Sequence, residues 1–385
     1  LIGGFLLFDL ITPLIVSVIV LAFQPFTVFA RKQILAKAKA KRNRLKNLKV
    51  IGITGSYGKT TTKEIVAHVL STKYKVVKTE SHKNSEMGIA QTILQDVTKE
   101  HEIFVCEMGA YGKGGVQLLC DIAQPHMGVL TGVNEQHLSL FGSMENLYSA
   151  EGGEELAAAL PETGKLIMNI DSDHVRDREF GREKIQISVS GVKDMHIEKS
   201  HVSFVMTTKD GKDVQFQVKM VGKHNIENVL LAVAVATEFG MSLEEIAESI
   251  KSLSADVFAT QLRKGKNGID ILDGTYSANS DGVLADLEHM ELWEGKKLVV
   301  MPCLIELGSA SHSVHEKIGK KIAEIGATVI LTNSECLEAV QRGAGAERVQ
   351  VGELKEVQEA ISSFGAGDVV LLESRIPQTI ISWVE

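Results

Sequence analysis

The stretch Thr54-Gly55-Ser56-Tyr57-Gly58-Lys59-Thr60-Thr61-Thr62 sets glycines, a lysine and a run of hydroxyls side by side. These residue types suit the handling of a polyphosphate. Glycines let successive backbone N–H groups curl around phosphate oxygens, and the N-terminus of a following helix adds its positive end. Lys59 is placed to reach the outer phosphates, and the Thr60 hydroxyl to ligate Mg²⁺. Gly55 and Gly58 are the glycines of this loop, with Ser56 and Thr61 beside them. The strict Walker spacing asks for glycine at position 53, where this chain has Ile53. Glu107 follows an apolar run and is a candidate second Mg²⁺ ligand. His137 follows another. A lone acid there is also a common helix cap, and a lone histidine a common core residue, so spacing alone leaves both readings open.

The elements that must position these groups can be read from hydropathy. Residues 49–53, 75–78, 103–106 and 127–131 read as short buried strands separated by helical stretches, the first over 63–70. Such alternation implies a parallel sheet with function at the strand C-termini. Residues 196–205 and 214–221 flank Lys209-Asp210-Gly211 and read as a hairpin. Residues 225–239 read as a helix stopped by Gly240. Strands over 269–272, 298–301, 328–331 and 369–372 alternate with helices in the last third.

Residues 10–30 carry no charge, a length that matches the apolar thickness of a bilayer, with Pro13 and Pro25 expected to kink or cap the span. Nine Lys/Arg and no acid follow between Arg31 and Lys49, which predicts a cytoplasmic flank and a basic helix against anionic headgroups. The net charge of −8 argues against a nucleic-acid partner. Cys106, Cys120, Cys303 and Cys336 show neither CxxC nor zinc spacing and are expected as buried free thiols in a reducing compartment. The expected architecture is α/β. A transmembrane helix (1–30) and a basic connector (31–48) precede a P-loop central ATPase domain with a mostly parallel sheet (49–260). A smaller Rossmann-like C-terminal α/β domain (261–385) follows, with the site in the cleft between the two.

Further segments follow the phosphate loop in order. They are Glu107-Met108-Gly109, then Glu135-Gln136-His137-Leu138 with Phe141-Gly142-Ser143, then Asn169-Ile170-Asp171 and Gly222-Lys223-His224-Asn225-Ile226-Glu227-Asn228. Asp273-Gly274-Thr275-Tyr276-Ser277-Ala278-Asn279-Ser280-Asp281 comes next, and Glu306-Leu307-Gly308 with His315 last. Together they resemble the Mur ligases, and among them the MurF type, which adds D-alanyl-D-alanine to a UDP-muramoyl tripeptide. The resemblance implies ATP and Mg²⁺ as cofactors, with Glu107 on one Mg²⁺ and His137 on a second. It implies that His224 and Asn225 lie near the adenosine or the catalytic face. Asp273, Tyr276 and Asn279 would close over ATP and the incoming amine. Lys59, His137, Glu151 and Asp273 form the catalytic set so implied. The implied partners are a cell-wall precursor, an amino acid or dipeptide, and other cell-wall enzymes, at the cytoplasmic face of the membrane.

The chain departs from that family's pattern at several points. The family's lysine after the FGS segment, modified to a carbamate, gives way to Glu151, itself an anionic oxygen ligand. The Asn-rich substrate segment is reduced to His82-Lys83-Asn84-Ser85-Glu86-Met87-Gly88. The DD pair reads Asp273-Gly274, and KGSR is reduced to Glu373-Ser374-Arg375. Arg263 stands near the hinge arginine but out of register. The apolar segment takes the place of the family's UDP-gripping domain, so a lipid-linked or otherwise membrane-borne acceptor is expected. A poly-γ-glutamate or folylpolyglutamate-type ligase shares the fold. The changes at 151 and 274 also suit a non-catalytic, membrane-attached nucleotide-binding scaffold. The segments around Tyr276 and Glu306 favour the MurF type.

Overall fold

A computed structural model describes residues 2–80, 83–134, 137–275 and 279–384. It opens on α1 (Ile2–Arg44), a single helix that runs through Pro13 and Pro25. The prolines therefore do not cap the span, and the same helix continues into the basic residues that follow it. Each proline removes one N–H donor. In an apolar stretch the helix is still the only local way to satisfy the remaining backbone groups. The Ala, Lys and Arg residues that follow are good helix formers, so the spiral continues. From Ile11 on, α1 is long and apolar enough to cross a membrane, and its large side chains are exposed (Leu14 65 %, Phe26 70 %).

The polar end of α1 is docked on the first domain along one face. Ala38 is fully buried, with Ile34 and Leu35 packed beside it. The Arg42 guanidinium, 3 % exposed, donates to the carbonyls of Ala123 (2.9 Å), Leu45 (2.9 Å) and Leu48 (3.2 Å). Lys41 donates to Leu94 O at 3.0 Å. Positions 34, 35, 38, 41 and 42 form one helical stripe, which leaves Lys32, Lys37 and Lys39 exposed on the other faces.

The first sheet alternates strand and helix: β1 (Lys49–Thr54), α2 (Lys59–Ser71), β2 (Val76–Lys78), α3 (Glu86–Gln95), β3 (Ile103–Glu107), α4 (Gly115–Ala123) and β4 (Met127–Leu130). Three short helices follow, α5 (Leu138–Phe141), α6 (Met144–Ala150) and α7 (Glu154–Ala159), then β5 (Lys165–Asn169) and β6 (Glu183–Ile187). The strand order is β2-β3-β1-β4-β5-β6, all parallel. β1 and β3 are buried on both faces, as parallel strands between helical layers must be. Alternate residues separate two cores. Ile51 and Ile53 face α2, whereas Val50 faces α3, α4 and the docked end of α1.

The expected hairpin is a three-stranded antiparallel meander, β7 (Lys193–Ile197), β8 (Val202–Thr207) and β9 (Asp213–Val218). A turn closed by Glu198 N–H donating to His201 O (2.9 Å) splits the expected first strand. Helices α8 (Asn225–Glu238) and α9 (Leu243–Lys251) return the chain to the α2 face.

The second sheet comprises β10 (Gln261–Lys264), β11 (Asp270–Gly274), α10 (Ser280–His289), β12 (Lys297–Met301), α11 (Ser311–Glu324), β13 (Thr328–Leu331), α12 (Leu337–Ala344), β14 (Val349–Val351), α13 (Leu354–Ile361), β15 (Val369–Glu373) and α14 (Gln378–Val384). Its order is β10-β11-β15-β12-β13-β14, parallel except for β10. Cys303 and Cys336 follow the adjacent strands β12 and β13 and are joined as a disulfide, with Cα atoms 5.5 Å apart. This corrects the expectation of free thiols for that pair. Neighbouring parallel strands deliver their C-terminal loops side by side. Cys106 and Cys120 are free and buried.

Candidate active site

The phosphate loop connects β1 to α2, and its backbone explains the glycines. Gly55 has φ +143°, and a Cβ there would sit 2.1 Å from Thr131 Oγ1. Gly58 has φ +72° and precedes α2 without a side-chain cap. The first-turn N–H groups of α2 are thus left for an anion. The helix begins at Lys59, earlier than the apolar pattern indicated, because hydroxyls rather than apolar residues make its first turn. Lys59 Nζ donates to Gly55 O (2.5 Å) and Ser56 O (3.1 Å), which folds the cation over its own loop.

Two anionic clusters flank this loop. In the first, Glu107 at the end of β3 is 4 % exposed. Its Oε1 accepts from Thr60 Oγ1 (3.1 Å) and Asn84 Nδ2 (3.0 Å), and its Oε2 pairs with the fully buried Lys63 (3.2 Å). In the second, Glu151 caps the C-terminal end of α6 and is 1 % exposed. Its Oε1 lies 2.8 Å from His137 Nδ1, and its Oε2 accepts from Ser56 Oγ at 2.7 Å. Burial alone would raise the Glu151 carboxyl, but Lys59, His137 and Ser56 together hold it below the usual carboxylate range. It is therefore an anion at neutral pH. The oxygen donors Glu107 and Thr60 suit Mg²⁺, which prefers hard ligands and shares its shell with nucleotide phosphates. His137 with Glu151 offers a second mixed nitrogen–oxygen set.

The other expected residues take the following positions. Asn225 is 2 % exposed and spends its amide on Val221 O and on Asn228. Asn228 Oδ1 in turn accepts from Thr62 Oγ1 (3.0 Å), so Asn225 braces α2 from behind the loop. His224 stands near Asp286 and Glu288 of α10, and burial holds it in the neutral form. Asn279 caps α10 through its oxygen and approaches Asn134, whose amide donates to Asp281 Oδ2 at 3.0 Å. Asp273 accepts from Thr275 and pairs with Arg263 at 3.1 Å. The antiparallel β10–β11 register makes that contact, although Arg263 is out of register in the sequence. Tyr276 and His82 lie outside the described residues.

The second domain reaches the site through Glu306, whose carbonyl accepts from Ser139 Oγ (3.0 Å) and whose carboxylate lies 3.9 Å from His137 Nε2. His315 holds this loop by accepting Leu304 N–H at Nε2 (2.9 Å).

Profile comparison places the Mur ligase middle domain on residues 53–236 and the Mur ligase glutamate ligase domain on residues 260–375. The chain belongs to the Mur ligases. It is 30 % identical over 336 residues to a Bacillus subtilis UDP-N-acetylmuramoyl-tripeptide–D-alanyl-D-alanine ligase, covering 85 % of this chain and 73 % of that one. Its fold matches MurF from Acinetobacter baumannii (TM-score 0.83, 24 % identity, 91 % of this chain, 80 % of the other). It also matches MurF from Thermotoga maritima in complex with ADP (TM-score 0.80, 24 % identity, 92 % and 84 %). As a Mur ligase it is an ATP-dependent, ADP-forming amide ligase that uses Mg²⁺.

Sequence reasoning passed over Lys63, which lies one turn beyond Thr60 and so faces the same strand end. It also passed over a rearranged acid. Gly274 and Glu373 are register partners on β11 and β15, and a Cβ at Gly274 would meet the Glu373 carboxyl at 3.0–3.2 Å. The acid missing from the DD pair thus reappears on the adjacent strand. Burial, with Asp286 against it, raises Glu373 well above the usual carboxylate range. A further carboxyl at this point would be pressed against Glu373, which Asp286 and Asp273 already face. Gly274→Asp is expected to destabilise the fold by about 2–3 kcal/mol, and Gly274→Asp with Glu373→Gly to recover most of that loss. Denaturant unfolding of the three proteins checks this.

Glu227 in the first turn of α8 gives a pH signature. Burial, reinforced by Asp171 and Asp281 against the hydrogen bond from Asn169, pushes its carboxyl up from 4.5 to about 7. The unfolded chain releases this proton first, so stability falls as pH rises from about 4.5 to about 7. Glu227→Gln is expected to flatten that slope, read as Tm at the two ends of the window.

Proposed function

We propose that this chain is a MurF-type ligase, held at the cytoplasmic face of a membrane by α1, that joins D-alanyl-D-alanine to the terminal carboxylate of a muramoyl tripeptide. The observation that carries the reading is the pair of anionic clusters, Thr60–Glu107 and Ser56–Glu151–His137, on either side of one phosphate loop. The α2 N-terminus and Lys59 hold the phosphates, and Lys59 neutralises charge as the acceptor carboxylate attacks the γ-phosphorus. ADP leaves and an acyl phosphate forms. The amine then attacks the acyl carbon, expelling phosphate. Mg²⁺, when bound by Glu107 and Thr60, supplies further charge neutralisation and alignment. Contacts from Glu306 and Asp281 to the first domain support closure over the reactants.

The large apolar side chains of α1 support the membrane placement. Left in water, they would forfeit more free energy than the net stability of a typical domain. The basic residues after the span support the cytoplasmic side. The test is phosphate release from Mg-ATP by the full chain in detergent, with UDP-muramoyl tripeptide and D-alanyl-D-alanine added singly and together. Release that needs both substrates supports the reading. Release indifferent to either substrate removes it.

A further inference from the structure

The Cys303–Cys336 bond lies at the root of the loop by which the second domain reaches the active site. Cys303 stands two residues beyond Met301 and Cys336 five beyond Leu331, the last paired residues of β12 and β13. The ladder already joins the strands, so in the folded chain the bond stiffens the two loops rather than the sheet. Cys303 N–H donates to Asn333 Oδ1 (2.7 Å), and Cys336 N–H to Cys303 Sγ (2.8 Å), which tightens the same joint. Glu306 comes three residues after Cys303. Its φ of +66° is one that a non-glycine residue keeps only where its surroundings enforce it. In that conformation its carbonyl meets Ser139, and its carboxylate lies 3.9 Å from His137.

His315 packs against the pair, with one ring nitrogen and both sulfurs within 4.8 Å of one another. Two thiolates and an imidazole suit zinc in kind. Both ring nitrogens are engaged, however. Nε2 accepts Leu304 N–H at 2.9 Å, and Nδ1 lies 2.7 Å from Ser311 O. The tautomer that satisfies both partners carries its proton on Nδ1 and leaves no lone pair for an ion. The geometry therefore favours the sulfur–sulfur bond over a metal. The pair is buried, but Ile305, Ser334 and Glu335 beside it are exposed, so it lies just beneath the surface. At a cytoplasmic face thiol pools are reducing, and bonded cysteine pairs there are as a rule transient and redox-sensing.

We propose that Cys303 and Cys336 form a reversible thiol–disulfide switch that sets how firmly Glu306 holds the second domain on the first. The proposal rests on the ligase reading and its cytoplasmic placement, and adds a regulatory site. Oxidation passes two electrons from the pair to a low-molecular-weight disulfide of the glutathione class. One cysteine thiolate attacks that disulfide and expels a thiol. The second then attacks the mixed disulfide and expels the other, and the two protons of the pair end on the released thiols. The bonded form fixes the Glu306 loop and favours closure over the reactants. The dithiol frees both loops, and the enforced Glu306 backbone relaxes away from Ser139 and His137.

The test equilibrates the full chain in detergent with glutathione buffers from fully reduced to fully oxidised. Alkylation and mass spectrometry read the state of the pair. Phosphate release from Mg-ATP with UDP-muramoyl tripeptide and D-alanyl-D-alanine is read at each ratio, well below Tm. The bonded form is expected to show a kcat/KM for the acceptor higher by about fivefold or more, with the same midpoint as the thiol titration. Cys303→Ser with Cys336→Ser is expected to match the reduced form and to ignore glutathione. Glu306→Gly keeps the bond but removes both the carboxylate and the enforced φ, and is expected to lose the response. A response that came from fold stability alone would survive that change. Equal kcat/KM in the two forms makes the bond a structural crosslink and overturns the switch while the ligase reading stands. A pair that stays bonded in reduced glutathione until the chain unfolds does the same. One zinc ion retained per reduced chain, and lost in Cys336→Ser, would make the three residues a metal site and overturn it as well. Absence of release that needs both substrates, in either form, removes the ligase reading and the switch with it.

Discussion

Lys59→Ala is expected to lower phosphate release by about 10³-fold or more, equivalent to about 4 kcal/mol of transition-state stabilisation. The ammonium has two tasks in this geometry. It stands over the loop between the Gly55 and Ser56 carbonyls, where the outer phosphates of a nucleotide are gathered. Its charge also helps hold the buried Glu151 carboxyl ionised. Removing it therefore weakens both the phosphate grip and the ligand set on the other side of the loop. Alanine is the best helix former, and position 59 opens α2, so Tm should move little. Lys59→Arg should also lose most activity, because a planar fork does not replace a compact ammonium folded over two carbonyls. Phosphate release, nucleotide affinity by calorimetry and Tm on the same preparations separate chemistry from folding. Turnover within tenfold of the wild type would show that Lys59 does not serve the reaction.

The placement of the candidate site was legible where chemistry and chain order coincide. The glycines, Lys59 and Thr60 lie in one loop after β1, and Glu107 closes the continuous apolar strand β3 beside it, so the run of buried strands places them at one sheet edge. The parallel α/β class followed from the alternation of those strands with helices. What stayed hidden depends on register across strands. Arg263 reaches Asp273 only because β10 runs antiparallel to β11, and Glu373 replaces an acid at position 274 only because β11 and β15 are neighbours. The Cys303–Cys336 bond is likewise a consequence of strand order, not spacing. Pro13 and Pro25, expected to kink or cap the apolar span, both lie inside one continuous helix. In a segment with no other backbone partners the helix continues past them. The docking of Arg42 was hidden by its surroundings, since one buried arginine among exposed lysines looks like part of a solvated run.

Glu151→Gln is expected to reduce turnover by about 10²-fold with little change in Tm. The amide keeps the shape and can still meet Ser56, but it removes the negative charge that His137 and a second cation would share. The same position tests how the site was rebuilt around the missing lysine. In the family the resemblance points to, a lysine carbamate fills this place, so an enzyme that merely lost it should be rescued by its return. Here Ser56 and His137 already stand at 2.7 and 2.8 Å from a carboxylate on a shorter side chain. That carboxylate is packed to 1 % exposure at the end of α6. A lysine carbamate would overrun both partners. Glu151→Lys is therefore expected to remain inactive with and without bicarbonate, whereas Glu151→Asp should keep a measurable fraction of activity. Bicarbonate-dependent recovery of Glu151→Lys would mean that the pocket still accommodates the longer group, and that Glu151 occupies a lysine site rather than one reshaped to fit a carboxylate.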